Sequence, residues 1–208
     1  MLKDQINQSI NQMNAALRKA EHWASSCGLK ISPEKTVSML FTNKNKKSYK
    51  IPSQPIMVGG KAITPSTETK YLGVILDNKL NWAPHINHKL NQARKVMFMI
   101  KSTTGKLWGP SPDITLWAYK SMVRPIISYC FFVFAQAYTK THIDKLKKLQ
   151  RQALLNIAHV RKGTPTEGLN IITDTLPAHL FLEKELLLAS QRLLPKVTRV
   201  FWFKKRTY

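Results

Sequence analysis

The sequence predicts an α+β protein: an N-terminal helix and a small antiparallel β region, followed by a mostly helical second half. Three observations predict it. Apolar residues recur at spacings of three and four across residues 2–27, and short β-branched runs broken by Gly59-Gly60 fill residues 37–77. Helical periodicity then returns after Trp82 and continues to about residue 194. The 208 residues suffice for a sizeable core, and 43% hydrophobic with 21% charged residues is a globular balance, not a disordered one.

Each element has its own warrant. Ile6, Ile10, Met13, Leu17, Ala20 and Trp23 form the stripe of the first helix, and Gly28 stands where a helix stop belongs. Residues 29–31 read as a short extended piece, closed by a turn at Ser32-Pro33-Glu34-Lys35-Thr36. Residues 37–42 read as a strand, with a basic loop at 43–50 containing Lys44, Lys46, Lys47 and Lys50. Ile56-Met57-Val58, Gly59-Gly60 and Lys61-Ala62-Ile63 carry a hairpin signature, because its turn needs positive φ. Residues 69–77 read as one further strand.

Beyond Trp82, Ile86, Leu90, Ala93, Val96 or Met97, and Ile100 mark a helix over about 84–103. Pro112 opens the next helix, running to about residue 123, and Pro125 kinks or divides it from an apolar continuation. A basic amphipathic helix follows at about 139–160. Its Ile143, Leu146, Leu149 or Gln150, Ala153, Leu154 and Ile157 face the core, with Lys140, Lys147, Lys148 and Arg151 opposite. Residues 163–177 read as loop, and a last helix covers about 178–194. Trp108, Trp117 and Tyr119 are expected in the core.

The charge narrows the function. Lys and Arg number 33 against 11 Asp and Glu, a net charge of +22. Before Thr104 stand 16 basic and 5 acidic residues, and after it 17 and 6, so each half carries +11. This is no neutral domain with a basic tail. Such a chain repels itself, and a polyanion relieves the repulsion. Nucleic acid leads, with an anionic membrane surface or a ribosomal-type assembly as the other readings. Two cysteines, Cys27 and Cys130, make no disulfide framework, so a reducing, intracellular setting is expected. The N-terminus reads as no signal peptide, and the uncharged run at 125–139 is too short to span a bilayer.

Self-contained catalysis is not expected. The eleven acids include no adjacent pair, and Glu183 and Glu185, two apart on a helix, face different ways. Two-metal phosphoryl transfer needs converging carboxylates. Phosphate-loop and nucleophile-elbow motifs are both missing. His85 and His88 could share a helical face, but with no third ligand they read as a solvated helix start rather than a metal site.

Five segments in order resemble the C-terminal part of reverse transcriptases from non-LTR retrotransposons of the jockey and LINE-like kind. They are Gly28-Leu29-Lys30-Ile31-Ser32-Pro33-Glu34-Lys35-Thr36, Lys70-Tyr71-Leu72-Gly73-Val74-Ile75-Leu76-Asp77 and Leu80-Asn81-Trp82-Ala83-Pro84-His85-Ile86. Arg124-Pro125-Ile126-Ile127-Ser128-Tyr129 and the run from Leu146 to Leu154 complete the set. The resemblance covers about residues 1–190. It implies that 1–80 are a partial palm with the primer-grip hairpin, and that 81–194 are a helical thumb and following helices. A basic aromatic tail, 195–208, matches nothing in the family. In that family the catalytic aspartate hairpin lies just upstream of the first helix, so this chain is expected to start after it.

The resemblance places Lys35 near the incoming triphosphate, where an ammonium could protonate the leaving pyrophosphate; the plain alternative is a solvated turn lysine. Tyr71, Leu72 and Gly73 match the primer-grip strand, although Leu72 and Val74 also suit a core. Lys89, Arg94, Lys95 and Lys101 on one helix, and Lys147, Lys148 and Arg151 on another, suit contacts to a duplex backbone. No metal or cofactor is expected in this chain; Mg²⁺ belongs to an intact family member. The expected partners are RNA/DNA primer–template and the missing palm and fingers, in a nucleus by family resemblance. The rival readings are a non-enzymatic nucleic-acid-binding module and a non-functional retroelement relic.

Overall fold

The computed structural model describes residues 2–42, 55–103, 105 and 108–193. The expected basic loop at 43–50 and the tail at 195–208 lie outside the described residues. The chain divides into two compact units, Met1–Trp82 and Ala83–Tyr208.

In the first unit, helix α1 (Leu2–Ser26) ends at Gly28, whose φ of +72° lets Leu29 N–H reach back to Ala24 O at 2.8 Å. Its contact face is narrower than the expected stripe. Ile10 and Ala24 are buried, whereas Met13 and Trp23 are exposed. Polar groups complete that face. The Asn14 side chain donates to Pro55 O and accepts from Met57 N–H, at 3.2 and 2.9 Å, and Glu21 accepts from Gly59 N–H. The helix thus satisfies the edge of the Ile56–Val58 strand as a neighbouring strand would.

The expected strand at 37–42 is only β1 (Ser38–Met39), paired in parallel with β4 (Pro65–Ser66). Strands β2 (Ile56–Val58) and β3 (Lys61–Ile63) form the hairpin that Gly59-Gly60 foretold, with φ of +54° and +74° at its turn. The stretch 69–77 is a hairpin rather than one strand: β5 (Glu68–Tyr71) turns at Leu72-Gly73 into β6 (Val74–Asp77). A short 3-10 turn, Pro33–Lys35, carries Lys35.

In the second unit, α2 (Ala83–Ser102) buries His85, Ile86, Leu90 and Ala93. The next path is continuous: α3 (Pro112–Ala118), a π turn (Tyr119–Val123), then α4 (Arg124–Ser128). Pro125 is the cause. Having no N–H and a ring that crowds the preceding turn, it is accommodated by one wide turn, in which Arg124 N–H reaches Tyr119 O. Cys130, at φ +55°, separates α4 from the short α5 (Phe131–Phe134).

Helix α6 (Lys140–Ile157) is the central strut, burying Leu146, Leu149, Gln150, Ala153, Leu154 and Ile157. The expected loop at 163–177 contains a helix, α7 (Thr166–Ile172), whose Leu169 is fully buried. Helix α8 (Ala178–Leu193) closes the unit, burying Ala178 and Leu182 against α5 and α6. Tyr119 joins this core as expected, but Trp108 and Trp117 are exposed.

Candidate nucleic-acid interface

The tip of the β5–β6 hairpin is built by its backbone. Tyr71 pairs with Val74, leaving Leu72 and Gly73 as a two-residue turn with φ of +46° and +79°. Positive φ at both positions is the geometry of a type I′ turn, which matches the twist of antiparallel strands. Gly73 takes it without strain; Leu72 bears the cost of a side chain in the left-handed region. Leu72 is not core, as it is 74% exposed, and Tyr71 is 66% exposed, while Val74 is buried. Gly73 supplies the second positive φ that the turn requires. Two large side chains are thereby held out on a narrow turn.

The base of the same hairpin is fixed by Asp77. Its buried carboxylate accepts the backbone N–H groups of Asn81 and Trp82, at 3.0 and 2.9 Å. Leu80 and Trp82 in that loop have φ of +53° and +61°, so the carboxylate holds two residues in a conformation they disfavour. Lys35 is exposed on its 3-10 turn. Beside that turn, Pro33, Thr36, Ile63, Ser66, Thr69 and Lys70 line an open groove of about 470 Å³.

On α2 the four cations do not share one face. Arg94, Lys95 and Lys101 are exposed on the water side, with Phe98 and Met99 exposed among them. Lys89 lies on the flank, its Nζ 4.4 Å from the centre of the Tyr129 ring. His85 is not part of a solvated helix start either. It is fully buried, with its ring edge-on to Phe134 at 4.8 Å, and burial, then the charges of Lys89 and His88, lower its pKa to about 4. A neutral His85 buried there is a core residue.

On α6, Lys147 and Lys148 are exposed as expected. Arg151 shares their side, but its guanidinium is committed to the first residue of α7 and the segment before it. Nη1 donates to Thr164 O and Thr166 Oγ1 at 2.8 and 2.7 Å, and Nη2 to Lys162 O at 2.7 Å. Gln150 Nε2 adds bonds to Asn170 Oδ1 and Leu176 O, and Arg124 Nη2 also reaches Leu176 O. Sequence reasoning missed this tether, although Pro165-Thr166-Glu167 was a helix-start signal. Helix α6 itself starts where Thr139 N–H donates to His142 Nδ1 at 3.3 Å; burial, then Lys145, lowers the His142 pKa and favours the neutral ring this bond needs.

Among the described residues no three His, Cys, Asp or Glu side chains gather within reach of one ion. Asp77 has both oxygens engaged, and Glu21 and Glu34 are occupied by Gly59 N–H and by Lys61. No helix among the described residues is long and apolar enough to cross a membrane.

The chain carries a net charge of +22, and its two compact units hold the hairpin and the helices described above. The chain is 27% identical over 141 residues to the RNA-directed DNA polymerase from mobile element jockey of Drosophila melanogaster, covering 66% of this chain and 14% of that protein. The Drosophila funebris jockey polymerase is 27% identical over 156 residues, covering 74% and 16%. The Retrovirus-related Pol polyprotein from type-1 retrotransposable element R1 of Bradysia coprophila is 22% identical over 182 residues, covering 85% and 17%. The chain is thus homologous to non-LTR retrotransposon RNA-directed DNA polymerases and spans under a fifth of the length of these three relatives. No family model matches the chain, and no solved structure matches it.

Proposed function

We propose that this chain forms the palm-end, primer-grip and thumb portion of a non-LTR retrotransposon RNA-directed DNA polymerase. Its task is to hold primer–template rather than to perform the chemistry. Residues 1–80 supply the primer grip and 81–194 the thumb and following helices. The observation that carries the reading is the β5–β6 tip, where Tyr71 and Leu72 project from a type I′ turn in a chain homologous to polymerases.

The remaining roles follow from chemistry. The primer end rests against the Tyr71 ring and the Leu72 side chain. Lys95, Lys101, Lys147 and Lys148 meet backbone phosphates, joined by Arg94 and by the flanking Lys89. Arg151 adds its charge to the same side of α6, while its donors shape the loop. In an assembled polymerase Lys35 lies toward the triphosphate. In this reading Mg²⁺ belongs to the assembled polymerase. A nuclear location is part of the same reading.

Photo-crosslinking tests the primer-grip assignment. A primer–template with a photoreactive group at the primer 3′ end should yield crosslinked peptides containing Tyr71–Gly73. Crosslinks confined to α1 or to α8 would overturn it.

A further inference from the structure

Helix α2 carries one feature that the thumb assignment does not use. Phe98 is 72% exposed and Met99 61%, on the water side of a helix whose buried face is His85, Ile86, Leu90 and Ala93. Packing does not account for a large ring placed there. Its helix-surface neighbours are Arg94 at i−4, Lys95 at i−3 and Lys101 at i+3, all exposed. The helix contains no acidic residue at all. Arg94 Nη1 donates to Asn91 Oδ1 at 3.2 Å, a neutral group of the same helix.

We propose that Phe98 is a stacking platform for an unpaired base, with Arg94, Lys95 and Lys101 holding the phosphates on either side. Charge complementarity selects this occupant. An apolar protein surface laid on Phe98 would strip water from three cations and return no partner. A single strand offers a base face to the ring and phosphates to the cations at once. Duplex DNA offers the phosphates but keeps its bases stacked within the helix. The inference rests on the nucleic-acid reading above and adds the mode: contact with single-stranded or locally opened nucleic acid at α2.

The experiment uses the full chain and fluorescent oligonucleotides, one single-stranded and one blunt duplex of equal length, with Phe98→Ala and Phe98→Trp variants. Phe98→Ala should weaken single-strand binding about 10-fold or more, with duplex binding nearly unchanged and the salt slope preserved. Phe98→Trp should retain the wild-type affinity. A 2-aminopurine base in the strand should be quenched by wild type and not by Phe98→Ala. Equal affinity of Phe98→Ala and wild type for the single strand would overturn the inference while leaving the thumb reading intact. So would equal losses on both nucleic acids, or a wild-type dimer that Phe98→Ala dissolves in sedimentation. Failure of wild type to bind either oligonucleotide would overturn both.

Discussion

Arg151 offers the sharpest separation between a charge that meets phosphate and a side chain that builds the fold. Its guanidinium makes three bonds to Lys162 O, Thr164 O and Thr166 Oγ1. An Arg151→Lys substitution keeps the charge but offers a single ammonium, which cannot span three acceptors fixed around a planar fork. Charged hydrogen bonds contribute about 1.5–3 kcal/mol each in protected sites. One of the three is exposed, so a net loss of about 2–3 kcal/mol is expected after allowing for solvent screening. With a urea slope of about 2 kcal/mol per molar, the midpoint should fall by roughly 1 M in Arg151→Lys. Far-ultraviolet circular dichroism reads it, since α6 and α7 lose their tether together. The salt slope of nucleic-acid binding should stay within about half a unit of wild type, because the charge is retained. An Arg151→Lys protein with the wild-type urea midpoint would refute the structural role.

Three further outcomes follow from the geometry. Gly73→Ala puts a side chain at φ +79° and should cost about 1 kcal/mol, read as a lower melting temperature and weaker primer crosslinking at Tyr71. Leu154→Ala, at a fully buried site on α6, should cost about 2–5 kcal/mol by leaving a cavity, seen in the denaturation midpoint. His85 is neutral in the fold, with its pKa lowered to about 4 from 6.5. The unfolded chain binds the extra proton between those values, so its contribution to stability is full above pH 6.5 and is lost as pH falls toward 4. Melting temperatures across that window should fall with pH, and less so in His85→Leu; an identical pH profile in the variant would contradict this.

Much of the framework was legible because period and punctuation carry it. The stripe Ile86, Leu90, Ala93 and the stripe Leu146 to Ile157 fall on the buried faces of α2 and α6. Gly59-Gly60 marked a true hairpin turn. The second hairpin was harder to read. Tyr71 to Leu76 is apolar on both sides of one glycine, so periodicity alone could not show that Leu72-Gly73 reverses the chain. Helix α7 was hidden for a different reason: seven residues are too few to show a period, and what fixes them is Arg151 and Gln150, distant in sequence. Trp108 and Trp117 show the limit of reading burial from residue type, since both are exposed. Of the candidate contacts, Lys95, Lys101, Lys147 and Lys148 could be read as solvent-facing from helical phase. The partners of Lys89 and Arg151 depend on tertiary neighbours that no local pattern reports.

The central claim is that this chain grips a nucleic-acid backbone, and its most direct test is the salt dependence of binding to primer–template. Fluorescence anisotropy from about 50 to 300 mM salt should give a log–log slope of about −4 or steeper, as several lysines and arginines displace counterions. The slope should become shallower by about one for each of Lys95, Lys101, Lys147 and Lys148 changed to Gln. A flat slope, or no binding at the lowest salt, would contradict the account.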